Sequence, residues 1–465
     1  MASFKKDYQK FEEQNDVTIV GIGNDNSLPA IVFETVTNIL GNLKFTMFPI
    51  ILETINYILI GNFGRYEDII VYSISILFIN LLGLTFGIGI LDSFEEIDIK
   101  NNLDIIKENR NTSLICYYDC TKFFLYLTLT FLTIFSYFSK NILFLFNFNE
   151  QVIAKSAMLI QFSIISNLFI LLHFFNLKLL RISNQIKQCD RVNISIVVIH
   201  SFFSFMLIFF LEDKILALAL SILISSIIMY ILSSFFVDEY AVVKPTIFTF
   251  NCSSISNLGL SYFKMATFYG VKNLINYLFF AVFLLLSIHL TEYEFAINSL
   301  VSNFMRVFYS LALAIGLSYK YYFDFKNSVN FIQQYSNIFY IVVGSLILLV
   351  GIIFMFLHTA IAGMYTYYDI ISEGVDSVVL LYPFFFLLES LICISEQVTN
   401  LRKKKHKKYN HYGLILNIIA IIIFSPIASI FAFYWDFSYG GIWICYFEFL
   451  VFKFIVYLII NIFRF

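Results

Sequence analysis

From about Ile31 to the last residue the chain is filled by apolar stretches, and this repetition narrows its possible folds more than any other feature. IVYSISILFINLLGLTFGIGIL (Ile70–Leu91) and VVGSLILLVGIIFMFL (Val342–Leu357) are typical. A bilayer-spanning helix takes roughly 20 mostly apolar residues, and most of the stretches reach that length. Lipid offers the backbone no hydrogen-bond partner, so only helices and closed barrels span it. Barrel strands alternate apolar and polar residues, and these runs do not. The expectation is an all-α membrane protein with twelve transmembrane helices in two sets of six.

Composition supports that class. Hydrophobic residues make up 59% of 465 and charged residues 13%, where a soluble protein carries about 25% charged residues. The first residues, MASFKKDYQKFEEQNDVT, are polar and mixed in sign, so no cleaved signal peptide is expected. Cys116 and Cys120 lie one helical turn apart, but no nearby His or Cys pair completes a metal set, and the six cysteines read as apolar packing residues. The excess of Phe, Ile, Asn, Tyr and Lys beside 5 Pro points to an AT-rich genome.

The spacing predicts helices over 31–60, 67–91, 113–138, 152–180, 192–211 and 214–236, and again over 258–288, 293–318, 331–357, 373–396, 411–434 and 441–463. The domain reading is therefore an N-terminal tail (1–30), a six-helix bundle (31–237), a polar linker (238–257) and a second six-helix bundle (258–465). Loop charge gives a separate check, because short cytoplasmic loops collect Lys and Arg. With twelve spans, one face holds Lys5, Lys6, Lys10, Lys100, Lys107, Arg110, Arg181, Lys187, Arg191, Lys244, Lys320, Lys326 and the run RKKKHKK from Arg402 to Lys408. The other face holds Arg65, Lys140 and Lys214. Losing one internal helix would scramble that bias, so both termini are expected in the cytoplasm. RKKKHKK itself reads as a topology anchor with some attraction for anionic lipid.

The halves resemble each other weakly. NFNEQVIAKSAMLIQF from Asn147 has its counterpart in YYDIISEGVDSVVLLY from Tyr367, each a short polar segment before a long helix. Six spans per half is an even number, so both halves begin on the same face. The repeat is thus parallel, with a pseudo-two-fold axis along the membrane normal, an arrangement of transporters that bind substrate between halves near the midplane.

Six segments resemble the multidrug and toxic compound extrusion (MATE) family along nearly the whole chain. LETINYILIGNFG (Leu52–Gly64) is similar to the end of the family's first helix, and GLTFGIGILDSF (Gly83–Phe94) to its glycine-rich second helix. FLFNFNEQVIAKSA and GMYTYYDIISEGVD resemble the paired segments before helices four and ten. LLESL (Leu387–Leu391) falls where many eukaryotic members carry an acid, and GGIWICYF (Gly440–Phe447) resembles the start of helix twelve. The departures are as plain. Asn56 stands where bacterial members often have a carboxylate, and the helix-seven glutamates of eukaryotic members are replaced by Asn273 and Asn276. The glycine-rich segments after helices two and eight have become EEIDIKNN and GLSYKYYFDFKN. The resemblance implies a diverged eukaryotic member.

Polar groups at membrane depth are the candidate sites, since an ionisable side chain in hydrocarbon costs a few kcal/mol and usually faces a partner or a cavity. Glu389, in YPFFFLLESLICI, has no basic residue one turn away and is the candidate proton-binding group. Glu53 is its helix-one analogue, with Asn56 three residues on along the same face. Lys272, Asn273, Asn276 and Tyr277 form a polar cluster in helix seven, and Lys272 is read as a fixed charge against Glu389 or as a snorkelling lysine. Arg306 is expected to pair with an acid. Asp119 and Lys122 read as a local ion pair at the membrane edge, and Glu448, Lys453 and the scattered histidines as carrying no site. The candidates belong to one site if Glu389, Glu53 and Lys272 converge on one cavity.

No G-x-x-x-x-G-K-[ST] loop supports ATP-driven pumping, and no nucleophile–base pair suggests an enzyme. The expected function is a secondary-active antiporter of the MATE kind, exporting organic cationic or hydrophobic compounds in exchange for protons or sodium, with no cofactor and no metal. Its expected partners are the bilayer and a small-molecule substrate, without nucleic acid, and the chain is expected to be a monomer in the plasma or a vacuolar membrane. The alternatives are a lipid-linked oligosaccharide flippase of the same superfamily, which needs a large basic cavity, and a transport-inactive relic.

Overall fold

The computed structural model describes residues 28–104, 110–146, 148–183, 185–240, 252–325, 329–404 and 412–463. The tail up to residue 27, residues 241–251 of the expected linker and Lys405–Lys408 of the basic run lie outside the described residues. All regular structure among the described residues is helical. In chain order the helices are α1 (Leu28–Phe63), α2 (Tyr66–Ile79), α3 (Thr85–Asp104), α4 (Arg110–Tyr137), α5 (Ser139–Phe144), α6 (Glu150–Ile182), α7 (Ile186–Phe210) and α8 (Lys214–Tyr240). They continue with α9 (Cys252–Leu286), α10 (Glu292–Phe325), α11 (Val329–Tyr365), α12 (Asp369–Val379), α13 (Tyr382–Lys404), α14 (Tyr412–Ser429) and α15 (Ser438–Phe463).

Ten of these helices are long and apolar enough to cross a membrane, and the bent pair α12–α13 adds an eleventh span if counted as one. The surface fits that solvent: Phe356 is 79% exposed, Ile422 67% and Phe202 58%, a coat of large apolar side chains that water would not tolerate at this extent. The chain is an integral membrane protein.

Two expected helices are interrupted. The second passes from α2 through a π turn at Asn80–Leu84 into α3, which puts an extra residue into the helix and redirects its later face. The tenth breaks at Leu380–Leu381, with a bend of 48° between α12 and α13. Pro383 follows the break; proline has no backbone N–H and fits the first turn of a helix better than its interior. A second π turn, Ile430–Tyr434, ends α14 four residues after Pro426.

Helix α1 starts on what is here termed the tail face and ends on the opposite face. It packs along α10 and α11, so the helices before residue 240 and those after residue 252 meet through it. They also meet through α3 and α4 against α9. On the opposite face Thr366 Oγ1 donates to the Gly61 carbonyl at 3.1 Å, Asn62 Nδ2 to the Met364 carbonyl at 2.8 Å, and Tyr66 stacks on Tyr293 at 4.8 Å. On the tail face Asn42 Nδ2 donates to Ser318 Oγ at 3.0 Å and Asn273 Nδ2 to Asp92 Oδ2 at 2.8 Å. Glycine makes both closures possible. A Cβ at Gly61 would lie 1.9 Å from the Tyr365 carbonyl oxygen, and one at Gly89 would lie 2.4 Å from that of Tyr269. The helices before residue 240 and those after residue 252 are therefore closed against each other on both faces.

Candidate functional site

Between these closures lie two small voids. The first sits between the halves. Glu53 and Tyr57, one turn apart on α1, face Tyr277 and Phe280 of α9 and Ser302, Asn303 and Arg306 of α10, with Ser73 of α2 at the side. Its volume is about 20 Å³, room for a water or two. Glu53 is ten residues from the end of α1, which at 1.5 Å per residue is about 15 Å in, half the thickness of a hydrocarbon core. Glu53 thus falls near the middle of the apolar stretch Thr46–Phe63.

Charge is arranged there with care for its environment. Arg306 Nη1 donates to Glu53 Oε1, and the two side chains are 20% and 11% exposed. The guanidinium lies over the Tyr277 ring, 5.6 Å from its centroid, a cation–π contact that gains strength away from water. Tyr277 Oη accepts from Asn80 Nδ2 at 3.3 Å, and Asn80 opens the π turn after α2. Thr54 Oγ1 and Tyr365 Oη both donate to Asn303 Oδ1, at 3.0 and 3.1 Å. The amide nitrogen of Asn303 is buried and has no hydrogen-bond partner among the described residues. A buried donor without an acceptor costs about 1–3 kcal/mol, so this group is primed for one.

The second void, about 30 Å³, lies among α9, α10, α13, α14 and α15. Its ionisable lining is Glu389, Glu396 and Lys453. Tyr446 Oη donates to Glu389 Oε1 at 2.5 Å, while Oε2 is buried and has no partner among the described residues. Lys453 Nζ donates to Asn417 Oδ1 at 3.0 Å, and Asn417 Nδ2 to Asn276 Oδ1 at 2.6 Å. A charged carboxylate here leaves one oxygen without a donor, whereas a bound proton removes the charge. Phe280 lines both voids.

The sequence candidates thus divide. Glu53, Tyr277 and Arg306 share the first void, and Glu389 and Asn276 the second. Convergence on one cavity does not occur. Lys272 does not face Glu389; its Nζ is 3.9 Å from Glu396 Oε1, and Glu396 lines the second void. Asn273 serves the tail-face closure by binding Asp92, which also takes Lys178 Nζ at 3.0 Å. Asn56 enters neither void. Its amide donates to Tyr72 Oη at 3.1 Å and its Oδ1 meets His200 Nε2 at 3.1 Å, while His200 Nδ1 meets Ser225 Oγ at 2.8 Å. Arg306 does pair with an acid, as expected. The Asp119–Lys122 pair forms at 3.3 Å, with both side chains buried, close to the start of the apolar stretch Tyr117–Tyr137 of α4.

No family model matches the sequence, and no curated protein matches it. Solved structures do. The eukaryotic MATE transporter AtDTX14 superposes with a TM-score of 0.70 at 14% identity, over 94% of this chain and 95% of that one. The Vibrio cholerae MATE transporter VcmN superposes with a TM-score of 0.66 at 14% identity, over 94% and 97%. The lipid II flippase MurJ, in an inward closed conformation, gives 0.60 at 16% identity, over 93% and 87%. The chain has the MATE fold. Identity this low fixes the architecture and leaves the site to be argued from its own residues.

Within the MATE fold, sequence reading missed Lys453, Asn417, Tyr446 and His200. Lys453 gave a signal, a cation fifteen residues into a last helix whose other charged residue is Glu448, but its partner Asn417 lies 36 residues away on another helix. His200 gave none, because its partners Asn56 and Ser225 come from α1 and α8.

Proposed function

We propose that the chain is a secondary-active transporter that moves organic compounds across a membrane in exchange for protons, with Glu389 as the coupling carboxyl. The observation that carries this reading is the second void: a carboxyl at membrane depth, held by one tyrosine and with its other oxygen unpaired, beside a lysine–asparagine chain. An ionisable residue inside a membrane bundle is a functional-site candidate by default. Sodium is the less apt ion, since Glu389 shares its void with the cation Lys453.

In this reading α2 and α3 form one span across the π turn, which brings the spans to twelve, six before residue 240 and six after residue 252. The two sets are the two halves of a parallel repeat, the tail face is cytoplasmic, and the structure is the closed intermediate between states open to either side. Proton binding at Glu389 removes a charge from the second void, and Phe280, the shared wall, is the route by which that change reaches the first. A ligand shifts such an equilibrium by its difference in affinity for the two states.

The flippase alternative asks for a large basic cavity. Both candidate cations are compensated, Arg306 by Glu53 and Lys272 by Glu396, and the voids are small, so the antiporter reading is the better one. Purified protein in proteoliposomes under an imposed pH gradient should move an organic solute, and Glu389→Gln should uncouple that movement from the gradient. Gradient-driven transport unchanged by Glu389→Gln removes the residue from the mechanism.

A further inference from the structure

We infer that the void between the halves is the substrate site and that it selects compact zwitterions, amino carboxylates with an apolar or aromatic side group, over simple organic cations or anions. The inference rests on the transporter reading and narrows its substrate.

The charge pattern leads to it. Glu53 belongs to α1 in the first half and Arg306 to α10 in the second, and they neutralise each other where the halves meet. The void of about 20 Å³ excludes any organic solute while they stay paired. A solute enters this space only when α1 and α10 part, and parting leaves an acid on one wall and a guanidinium on the other. An unpaired buried charge is strongly destabilising. An organic cation compensates Glu53 and leaves Arg306 bare; an organic anion does the reverse. A zwitterion compensates both, with its ammonium toward the first half and its carboxylate toward the second.

Asn303 points the same way independently of the ion pair. Its oxygen is already taken by Thr54 and Tyr365, and its nitrogen is buried, unpartnered among the described residues and part of the lining. It lies three residues from Arg306, so the two stand on one face of α10. Together they present an amide donor and a guanidinium fork, a pairing made for a carboxylate. Glu53, in a lining that includes Tyr57 and Tyr277, presents the acceptor and aromatic surface that an ammonium group uses. The rings of Tyr57 and Phe280 leave an apolar wall for the rest of the solute. Polar groups left unmatched in a closed site make the strongest discrimination, so each missing charge on the ligand should be felt.

The test compares three ligands of one shape on the purified full-length protein: phenylalanine, phenethylamine, which lacks the carboxylate, and 3-phenylpropionate, which lacks the ammonium. Binding is read by calorimetry and by ligand-induced thermal stabilisation, with leucine and alanine to sample side-group size. A zwitterion should bind at least tenfold tighter than either single-charge analogue. Arg306→Gln should erase discrimination against phenethylamine, and Glu53→Gln discrimination against 3-phenylpropionate. If a single variant does not fold, the wild-type ligand series decides alone, and Glu53→Gln/Arg306→Gln, which leaves no lone charge, should bind all three ligands without preference. Phenethylamine or 3-phenylpropionate binding as tightly as phenylalanine overturns the inference, as does the failure of every amino acid to bind. Zwitterion-selective binding without any response to a pH gradient would keep this site and reject the antiport reading; gradient-driven transport of a plain cation would do the opposite.

Discussion

Breaking the Glu53–Arg306 pair should cost far more from either side than removing it whole. Both side chains are mostly withdrawn from solvent, at 11% and 20% exposure, and the bond joins α1 to α10 across the contact of the halves. Glu53→Gln strands a guanidinium at membrane depth, and Arg306→Gln strands a carboxylate. Each single change is expected to lower stability by about 3–5 kcal/mol, the range for leaving one member of a buried pair uncompensated. Removing both charges leaves no lone ion, and two amides of similar shape can still hydrogen-bond, so the double variant should lie within about 2 kcal/mol of wild type. The coupling energy is then at least about 4 kcal/mol, well above the ~0.6 kcal/mol average for an ordinary interhelical hydrogen bond in a membrane protein. The assay is a double-mutant cycle of unfolding free energies in mixed micelles, followed by helical circular dichroism. Effects that add to within about 0.5 kcal/mol would mean two independent residues, and the zwitterion argument would lose its base.

The glycine contacts give a second expectation. Gly61→Ala should hold the opposite face open and Gly89→Ala the tail face, because each new Cβ meets a carbonyl oxygen of the backbone rather than a movable side chain, at 1.9 and 2.4 Å. A cysteine placed at Ser302 and probed with an impermeant maleimide should then label from the opposite side in the first variant and from the tail side in the second; equal labelling from both sides in both variants rejects the two-gate picture. Tyr446→Phe removes the donor to Glu389 and should destabilise by about 1–3 kcal/mol, measured by the same unfolding assay; no change would show that the hydrogen bond contributes nothing net. His200→Leu breaks the link from Asn56 to Ser225 and should cost about 1–3 kcal/mol while leaving amino-acid affinity unchanged, since the network enters neither void; lost affinity at full stability would join it to the site.

The membrane class and the helix positions were legible because hydrocarbon imposes one rule on every span. Residue type at depth was legible for the same reason: Glu53, Arg306 and Glu389 stand out against Phe, Ile and Leu. What the sequence did not carry was who meets whom. Arg306 lies 253 residues from Glu53, and only the packing of α1 on α10 joins them. Lys272 and Glu389 looked like partners because both are charged and deep, yet helix rotation turns Lys272 toward Glu396. Asn56 looked like a substitute for a coupling acid, and the fold instead spends it on a hydrogen bond to Tyr72 and a contact with His200. The break at Leu380–Leu381 was hidden because an apolar run reads the same whether or not Pro383 bends it.

Coupling through Glu389 is the central claim, and proteoliposomes test it most directly. Amino-acid flux is measured with and without an imposed pH gradient, in wild type and in Glu389→Gln, with binding affinity checked in both. Wild-type flux should rise with the gradient, and the variant should bind its substrate yet show the same flux at every gradient. A variant whose flux follows the gradient as the wild type does would contradict the account.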